Sequence, residues 1–174
     1  IMTIGVNTTL VENVPTSFAD LKYAQYANQV AINGDPREAG AAFAAVMAAS
    51  LANGGSFDDI TPGIDYFAEL AEMGVFNPID VEDTNLVSGE IPIALDWNYN
   101  WPGKIASIED AGFEFTYLTP SDAAYSSYYA QGVVTEAPHP CAVRLFIEHL
   151  LSNEGALGYL EGGAVPARAA AMLE

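Results

Sequence analysis

The sequence lacks several features that would identify common classes of protein. It has one cysteine, Cys141, so an internal disulfide framework is excluded. Only five of the 174 residues are lysine or arginine, against 23 aspartate and glutamate residues, and the formal net charge is −18. A chain without a basic patch is a poor partner for nucleic acid or for an anionic membrane surface. A halophilic origin is an alternative explanation of the charge.

Further absences concern membranes, metals and cofactors. No apolar run reaches about 18 residues, the usual minimum for a spanning helix, and no signal peptide is visible. The chain opens on a strand-like run at Ile1, which predicts that this end is an internal cut. Two histidines and one cysteine disfavour a zinc site, and no phosphate-binding glycine loop is present. We therefore expect no metal and no cofactor, while the many carboxylates leave a hydrolase open as an alternative.

What the chain does contain is the pattern of an α/β domain. It is 51% hydrophobic, which suffices for a sizeable core. Strands are predicted at 2–7, 29–32, 91–95 and 113–118, and helices at 37–53, 64–73, 84–88, 105–111, 141–151 and 153–159. This alternation predicts an α/β fold with a mixed central sheet flanked by helices.

The stretch from Gly89 to Gly103 is the first candidate for a binding site. An apolar run through Leu95 ends in a polar and aromatic cluster, Asp96, Trp97, Asn98, Tyr99, Asn100 and Trp101. Open α/β sheets bind ligands beyond the carboxyl ends of their strands, and aromatic faces with a few polar groups suit a small-molecule cleft. The alternative is an aromatic turn that covers the edge of the core.

The start of the long helix predicted from Arg37 is the second candidate. Asp35 is predicted to be its N-cap, and Pro36 fits the first helical position. Free N–H groups at such a start can hold a carboxylate or another anion. Plain helix capping is the alternative.

The chain resembles the extracellular solute-binding proteins of bacterial ABC importers, in the branch that holds ferric-ion, polyamine, thiosulfate and phosphonate binders. The similarity lies in the order and spacing of segments at 4–10 (IGVNTTL), 15–21 (PTSFADL), 34–37 (GDPR), 89–103, 137–142 (APHPCA) and 146–168. The resemblance implies the type II periplasmic-binding-protein fold, which has two lobes joined by crossover strands, and this chain looks like its later part. Residues 1–26 would be a crossover strand and entry segment, residues 27–112 the second lobe, and residues 113–174 the return crossover and the C-terminal helices of the other lobe.

The same resemblance implies capture of a small solute in a cleft between the lobes, without catalysis, for ABC permease subunits. The location would be periplasmic or extracellular, with a lipid anchor in preceding sequence as one form of attachment. Binding proteins close two lobes around a ligand by hinge motion. A chain that holds half of the cleft is therefore expected to bind weakly and to self-associate through uncovered apolar surface.

The nature of the solute depends on the aromatic cluster. In ferric-binding relatives, two adjacent tyrosines at the corresponding turn hold iron, whereas here Tyr99 is followed by Asn100. A hard cation needs several anionic oxygens. Ferric ion is therefore the alternative solute, for which this chain has one phenolate fewer than those relatives. Asp96 beside Trp97 and Tyr99 instead suits an amine, through charge pairing and cation–π contact.

A polyamine or an aminophosphonate fits this expectation. The anionic end of an aminophosphonate would bind at Asp35 and Arg37. Tyr125 or Tyr128, predicted on a strand and its approach near the return crossover, completes the predicted site.

Overall fold

The computed structural model describes residues 1–168. The chain forms two compact units, Ile1–Ser126 and the segment from Ser127 onward. The three segments predicted from the sequence concern places in a two-lobed protein, and they stay a prediction. Residues 169–174 of the third segment lie outside the described residues.

The first unit is built on a four-stranded mixed sheet. Its strands are β1 (Met2–Asn7), β2 (Val30–Ile32), β3 (Ile93–Trp97) and β4 (Phe115–Leu118), in the order β2-β3-β1-β4. Strand β3 runs parallel to β2 and antiparallel to β1, and β1 is antiparallel to β4. The carboxyl ends of β2, β3 and β4 therefore lie at one edge, together with the amino end of β1. This sheet confirms the predicted α/β class.

Two apolar clusters cover the two faces of the sheet. The larger one contains Leu95 and Trp97 of β3, and the smaller one contains Ala94 with Trp101 and Ile108. The split follows from strand geometry, since successive side chains point to opposite faces. Both β1 and β3 are buried along their whole length, including the polar residues Thr3, Asn7 and Asp96.

Helices flank the sheet in the first unit and form the second unit. The first unit contains α1 (Gly40–Ala52), α2 (Thr61–Glu72), α3 (Asp83–Val87) and α4 (Pro102–Asp110), and the second contains α5 (Pro140–Leu150) and α6 (Asn153–Glu161). Helix α1 packs on α2 and on the three strands β1, β2 and β3. Within residues 1–168, no helix combines the length and apolarity needed to cross a membrane.

The predicted start of α1 is wrong. The helix begins at Gly40 with Ala39 as its N-cap, and no side chain caps it. Asp35 instead closes a separate turn: its carbonyl oxygen accepts the N–H groups of Glu38 and Ala39 at 2.9 and 2.7 Å. The Asp35 carboxylate also accepts the backbone N–H group of Arg37 at 2.9 Å, since a short polar side chain bonds the local backbone outside a helix as readily as at a cap.

The strand predicted around Tyr125 and Tyr128 is also absent, since residues 119–136 form no strand. The N–H group of Met2 donates to the carbonyl oxygen of Tyr125 at 2.9 Å. This single backbone hydrogen bond joins the segment to β1. The segment then leaves the sheet, and the side chain of Tyr128 is 87% exposed.

Candidate functional site

Three residues predicted to form the site come together where β3 ends. Trp97 is the last residue of β3, and Tyr99 follows it in a single 3-10 turn, Asn98–Asn100. The Trp97 and Tyr99 rings are stacked, with centroids 6.2 Å apart and planes 12° apart. The Tyr125 ring lies 6.1 Å from Trp97. We call Trp97, Tyr99 and Tyr125 the aromatic platform.

The amino end of β1 is hydrogen-bonded to both chain segments that carry the platform rings. Met2 donates its N–H group to Tyr125, as described above, and Ile1 accepts the N–H group of Asn98 through its carbonyl oxygen at 2.9 Å. Trp97 pairs with Met2 across the sheet. The backbone of one buried strand therefore fixes rings that lie 28 residues apart in sequence.

Asp96, the residue before Trp97, is fully buried, and its two carboxylate oxygens differ in their hydrogen bonding. Its Oδ1 accepts the Trp97 N–H group and the Asn100 Nδ2, each at 2.8 Å. Its Oδ2 is buried and has no hydrogen-bond partner within residues 1–168. Buried polar atoms are nearly always hydrogen-bonded, because an unpaired one retains its desolvation penalty.

Asp96 belongs to the face of the sheet opposite to Trp97. Its cross-strand neighbour is Thr3, whose hydroxyl donates to the Asp96 carbonyl oxygen and accepts Nε1 of Trp101, both at 2.8 Å. The expectation that Asp96 lies directly beside the Trp97 ring is therefore wrong, because adjacent strand residues alternate between faces. A role for Asp96 as a ligand contact stays a prediction.

Asp35 and Arg37 form an exposed ion pair in the turn before α1. The Asp35 carboxylate accepts the Arg37 Nη2 at 2.5 Å, the Arg37 Nε at 3.0 Å and the Arg37 backbone N–H at 2.9 Å. The bonds from the guanidinium and from this N–H group lower the pKa of Asp35 to about 2. Hydrogen bonding to Asp35 in turn raises the pKa of Arg37 above its ordinary value.

The backbone N–H groups directly after Asp35 are therefore already used. Pro36 has none, and the next three donate to Asp35 itself. The remaining donors at this end are the first three N–H groups of α1, on residues 40–42, which have no acceptor inside the helix. An anion site at the N–H groups after Asp35 is therefore disfavoured, and binding of an anion at the start of α1 stays a prediction.

Tyr128 belongs to the second unit, whereas Tyr125, three residues earlier in the sequence, belongs to the first. Phe57, which the sequence reasoning did not single out, lies in the first unit with its ring 6.2 Å from Tyr125. Its only signal in the sequence is an isolated aromatic residue in a polar turn between Gly55 and Asp59. That pattern has no periodicity, so it does not mark Phe57 as a site residue.

A surface groove lies elsewhere on the first unit. It has a volume of about 600 Å³ and is lined by Asn13, Val14, Asp20, Tyr23, Gln25 and Tyr26. None of the predicted site residues lines it. We give more weight to the sheet edge, because the carboxyl ends of strands and an unpaired buried carboxylate oxygen coincide there.

The described part of the chain offers no cluster of three or more His, Cys, Asp or Glu side chains that could hold a metal ion. Tyr99, which was predicted to correspond to the first tyrosine of the pair in ferric-binding relatives, stacks on Trp97. The ferric alternative therefore gains no support from this geometry.

Comparison with known proteins gives a family match over the whole chain. The model of a family described as bacterial extracellular solute-binding protein matches residues 1–174. No curated protein sequence matches the chain.

Several solved structures share the fold. The periplasmic binding protein AfuA from Actinobacillus pleuropneumoniae, with fructose-6-phosphate bound, has 20% identity and a TM-score of 0.70 over 100% of this chain and 54% of its own. The lipoprotein Tp0655 (TpPotD) of Treponema pallidum has 12% identity and a TM-score of 0.64 over 91% and 50%. Iron-bound HitA from Pseudomonas aeruginosa has 18% identity and a TM-score of 0.55 over 88% and 49%.

These likenesses confirm the predicted fold class, that of the periplasmic binding proteins. The chain spans about half the length of the solved structures just described.

Proposed function

Because the chain belongs to the family of bacterial extracellular solute-binding proteins, we propose that the full-length gene product is the substrate-binding component of an ABC importer. It captures a small solute and catalyses no reaction. The hydrolase alternative has no support in the family match. The site is the sheet edge around the aromatic platform, together with Asp96, and Asp35, Arg37 and Tyr128 remain further predicted contacts.

The observation that carries the proposal is the unpaired Oδ2 of Asp96. A buried carboxylate oxygen needs a donor, and an ammonium group supplies both the hydrogen bond and the opposite charge. Trp97 and Tyr99 follow within three residues, and their stacked rings at the same strand end, on the other face of the sheet, are also suited to a cation. The class of solute supported best is therefore an amine, such as a polyamine or an aminophosphonate.

The basic residues of the first unit support the same conclusion. Lys22, Arg37 and Lys104 are each paired with a carboxylate, Glu69, Asp35 and Asp83 respectively. An anionic solute would reach one of these basic side chains only by displacing its carboxylate. The anionic end of an aminophosphonate would exchange with Asp35 at Arg37, or bind the first N–H groups of α1.

Solute binding at Asp96 requires a local movement. The side chain has no exposed surface, so an amine reaches Oδ2 only if the turn from Asn98 to Asn100 shifts. That turn is tied to Asp96 through Asn100 and to Ile1 through Asn98. A shift of the turn that exposes Oδ2 gives the site an open and a closed form, as hinge closure in two-lobed binding proteins also does.

The proposal extends to partners and location. Permease subunits receive the solute, and the protein acts outside the cytoplasm, in the periplasm or at the cell surface. A lipid anchor in preceding sequence stays a prediction. The 174-residue chain alone is proposed to self-associate, for reasons given in the Discussion.

The test is titration of the full-length gene product with spermidine and with 2-aminoethylphosphonate, before and after Asp96→Asn. The amide oxygen can keep the bonds from Trp97 and Asn100, while an NH2 group replaces Oδ2. Loss of a buried charge partner costs roughly 2–5 kcal/mol, so the affinity for the amine should fall at least about thirtyfold. Inorganic phosphate should bind no more weakly than to the wild type.

Asp65→Asn is the matched control, because it removes the same charge from an exposed position on α2. It should leave amine affinity unchanged. A folded Asp96→Asn protein with wild-type amine affinity would remove Asp96 from the site. A wild-type protein that binds neither amine would reject the proposed class of solute.

A further inference from the structure

Phe57 is an exposed aromatic ring on a tightly bonded turn. Its side chain is 73% exposed. Ser56 and Asp59 exchange two backbone hydrogen bonds around it, at 3.1 and 3.2 Å. The Ser50 hydroxyl donates to the Asp59 carbonyl oxygen at 2.7 Å and ties the turn to α1. The turn therefore holds a large apolar side chain in water, where it makes little contribution to the core.

The Phe57 ring continues the aromatic platform outward. Its centroid lies 6.2 Å from Tyr125, which in turn lies 6.1 Å from Trp97, and Trp97 lies 6.2 Å from Tyr99. Exposure falls along this row, from 73% at Phe57 to 8% at Trp97. The row thus leads from solvent to Trp97 at the carboxyl end of β3.

The charge beside the outer ring is negative. Asp58 and Asp59 follow Phe57 directly, and both are exposed. Arg37, Lys22 and Lys104, the basic residues of the first unit, are already paired with carboxylates. Ring faces next to unpaired carboxylates attract cations with an apolar stem, since the stem packs on the ring while the charge stays near the carboxylates.

We propose that Phe57 is a fourth ring of the solute site and contacts the alkyl chain of an extended amine that lies along the aromatic platform. This inference rests on the proposed function, because it needs an amine at the platform. It adds a residue that selects for the length of the solute: a short amine covers the inner rings alone, and a long one also covers Phe57.

The experiment compares two amines, spermidine and ethylamine, on the full-length gene product and on Phe57→Ala. The variant should bind spermidine about fivefold more weakly, the usual size of an aromatic contact to a partly exposed cation. Ethylamine should bind both proteins equally. Phe57→Trp, which keeps a ring, should restore spermidine affinity, and Phe57→Leu should not restore it fully.

Tyr23→Ala is the control, because it removes another exposed ring, 57% accessible, that lies in the surface groove and outside the platform. Wild-type spermidine affinity in Phe57→Ala would overturn the inference, as would an equal loss for both amines. If Tyr23→Ala weakened spermidine binding and Phe57→Ala did not, the contact would lie in the groove and the inference would also be overturned. Failure of the wild type to bind either amine is a different outcome, since it rejects the proposed function itself.

Discussion

At the scale of single residues, charge pairing decides which groups remain available to a solute. The Asp35 carboxyl, with a pKa of about 2, stays ionised throughout the physiological range. Because the pKa of Asp35 is lowered in the folded protein, the ionised carboxylate stabilises the fold above the ordinary pKa of 3.8. That contribution to stability is lost as the pH falls toward 2. At neutral pH an anion must therefore compete with Asp35 for Arg37.

Asp96 shows how far residue-level reasoning from sequence reaches. The change from an apolar run to a polar and aromatic cluster correctly locates the strand end, since Trp97, Tyr99 and Tyr125 meet there. The sequence also suggests that Asp96 and Trp97 act side by side. Strand alternation separates them, a rule that could have been applied once β3 was extended through Trp97.

At the scale of elements, the four strands of the sheet were predictable, whereas the strand expected around Tyr125 and the start of α1 were wrong. The sequence pattern predicts β1 within its observed bounds and β3 and β4 to within two residues at each end. The Asp-Pro pair at 35–36 satisfies the local rules for a helix start. Those rules do not distinguish a cap from a turn that precedes the helix by several residues, because both use the same bonds from a short polar side chain.

The contact between α1 and α2 gives a prediction at this scale. A Cβ atom added at Gly63 would lie 2.1 Å from the Val46 carbonyl oxygen and 2.9 Å from the Ser50 nitrogen. Both are backbone atoms of α1, so the two helices must separate. Gly63→Ala should therefore destabilise the protein by about 1–3 kcal/mol, the usual cost of overpacking, measured as a lower midpoint in urea unfolding.

Gly103→Ala is a matched control for this change. Gly63 and Gly103 each follow a proline in the first turn of a helix, but a Cβ at Gly103 would meet nothing within 4 Å. The Gly103 variant should be as stable as the wild type or slightly more stable, because alanine restricts the unfolded chain. Equal midpoints for the two variants would contradict the close contact between α1 and α2.

At the scale of the whole molecule, the second unit exposes an unusual amount of apolar surface. Ala156 and Pro166 are its only buried residues among those described. Leu145 and Phe146 on α5 are 72% and 60% exposed, and Val165 is 67% exposed. Apolar surface of this kind is normally covered by a partner or by more of the same protein.

We therefore expect the 174-residue chain to self-associate in isolation. Sedimentation velocity should show species heavier than the 18.4 kDa monomer, and Phe146→Asp should reduce them by placing a charge in the shared surface. Tyr23→Asp, a change of the same kind in the first unit, should have little effect. A wild-type chain that sediments as a monomer at every concentration would contradict the expectation.

The central claim of this account is that the solute lies against Trp97 at the sheet edge. The chain contains two tryptophans, and their indole N–H signals in a ¹⁵N-labelled protein report two different places. Trp97 belongs to the platform, whereas Trp101 is fully buried and donates its Nε1–H to Thr3. Trp97→Phe assigns the first signal, and Trp101 serves as an internal control.

Spermidine titrated into the labelled full-length gene product should shift the Trp97 indole signal until it saturates. The Trp101 signal should move much less, since Thr3 keeps its hydrogen bond. If the Trp97 signal stays in place at saturating spermidine, the solute does not lie against Trp97 and the account is contradicted.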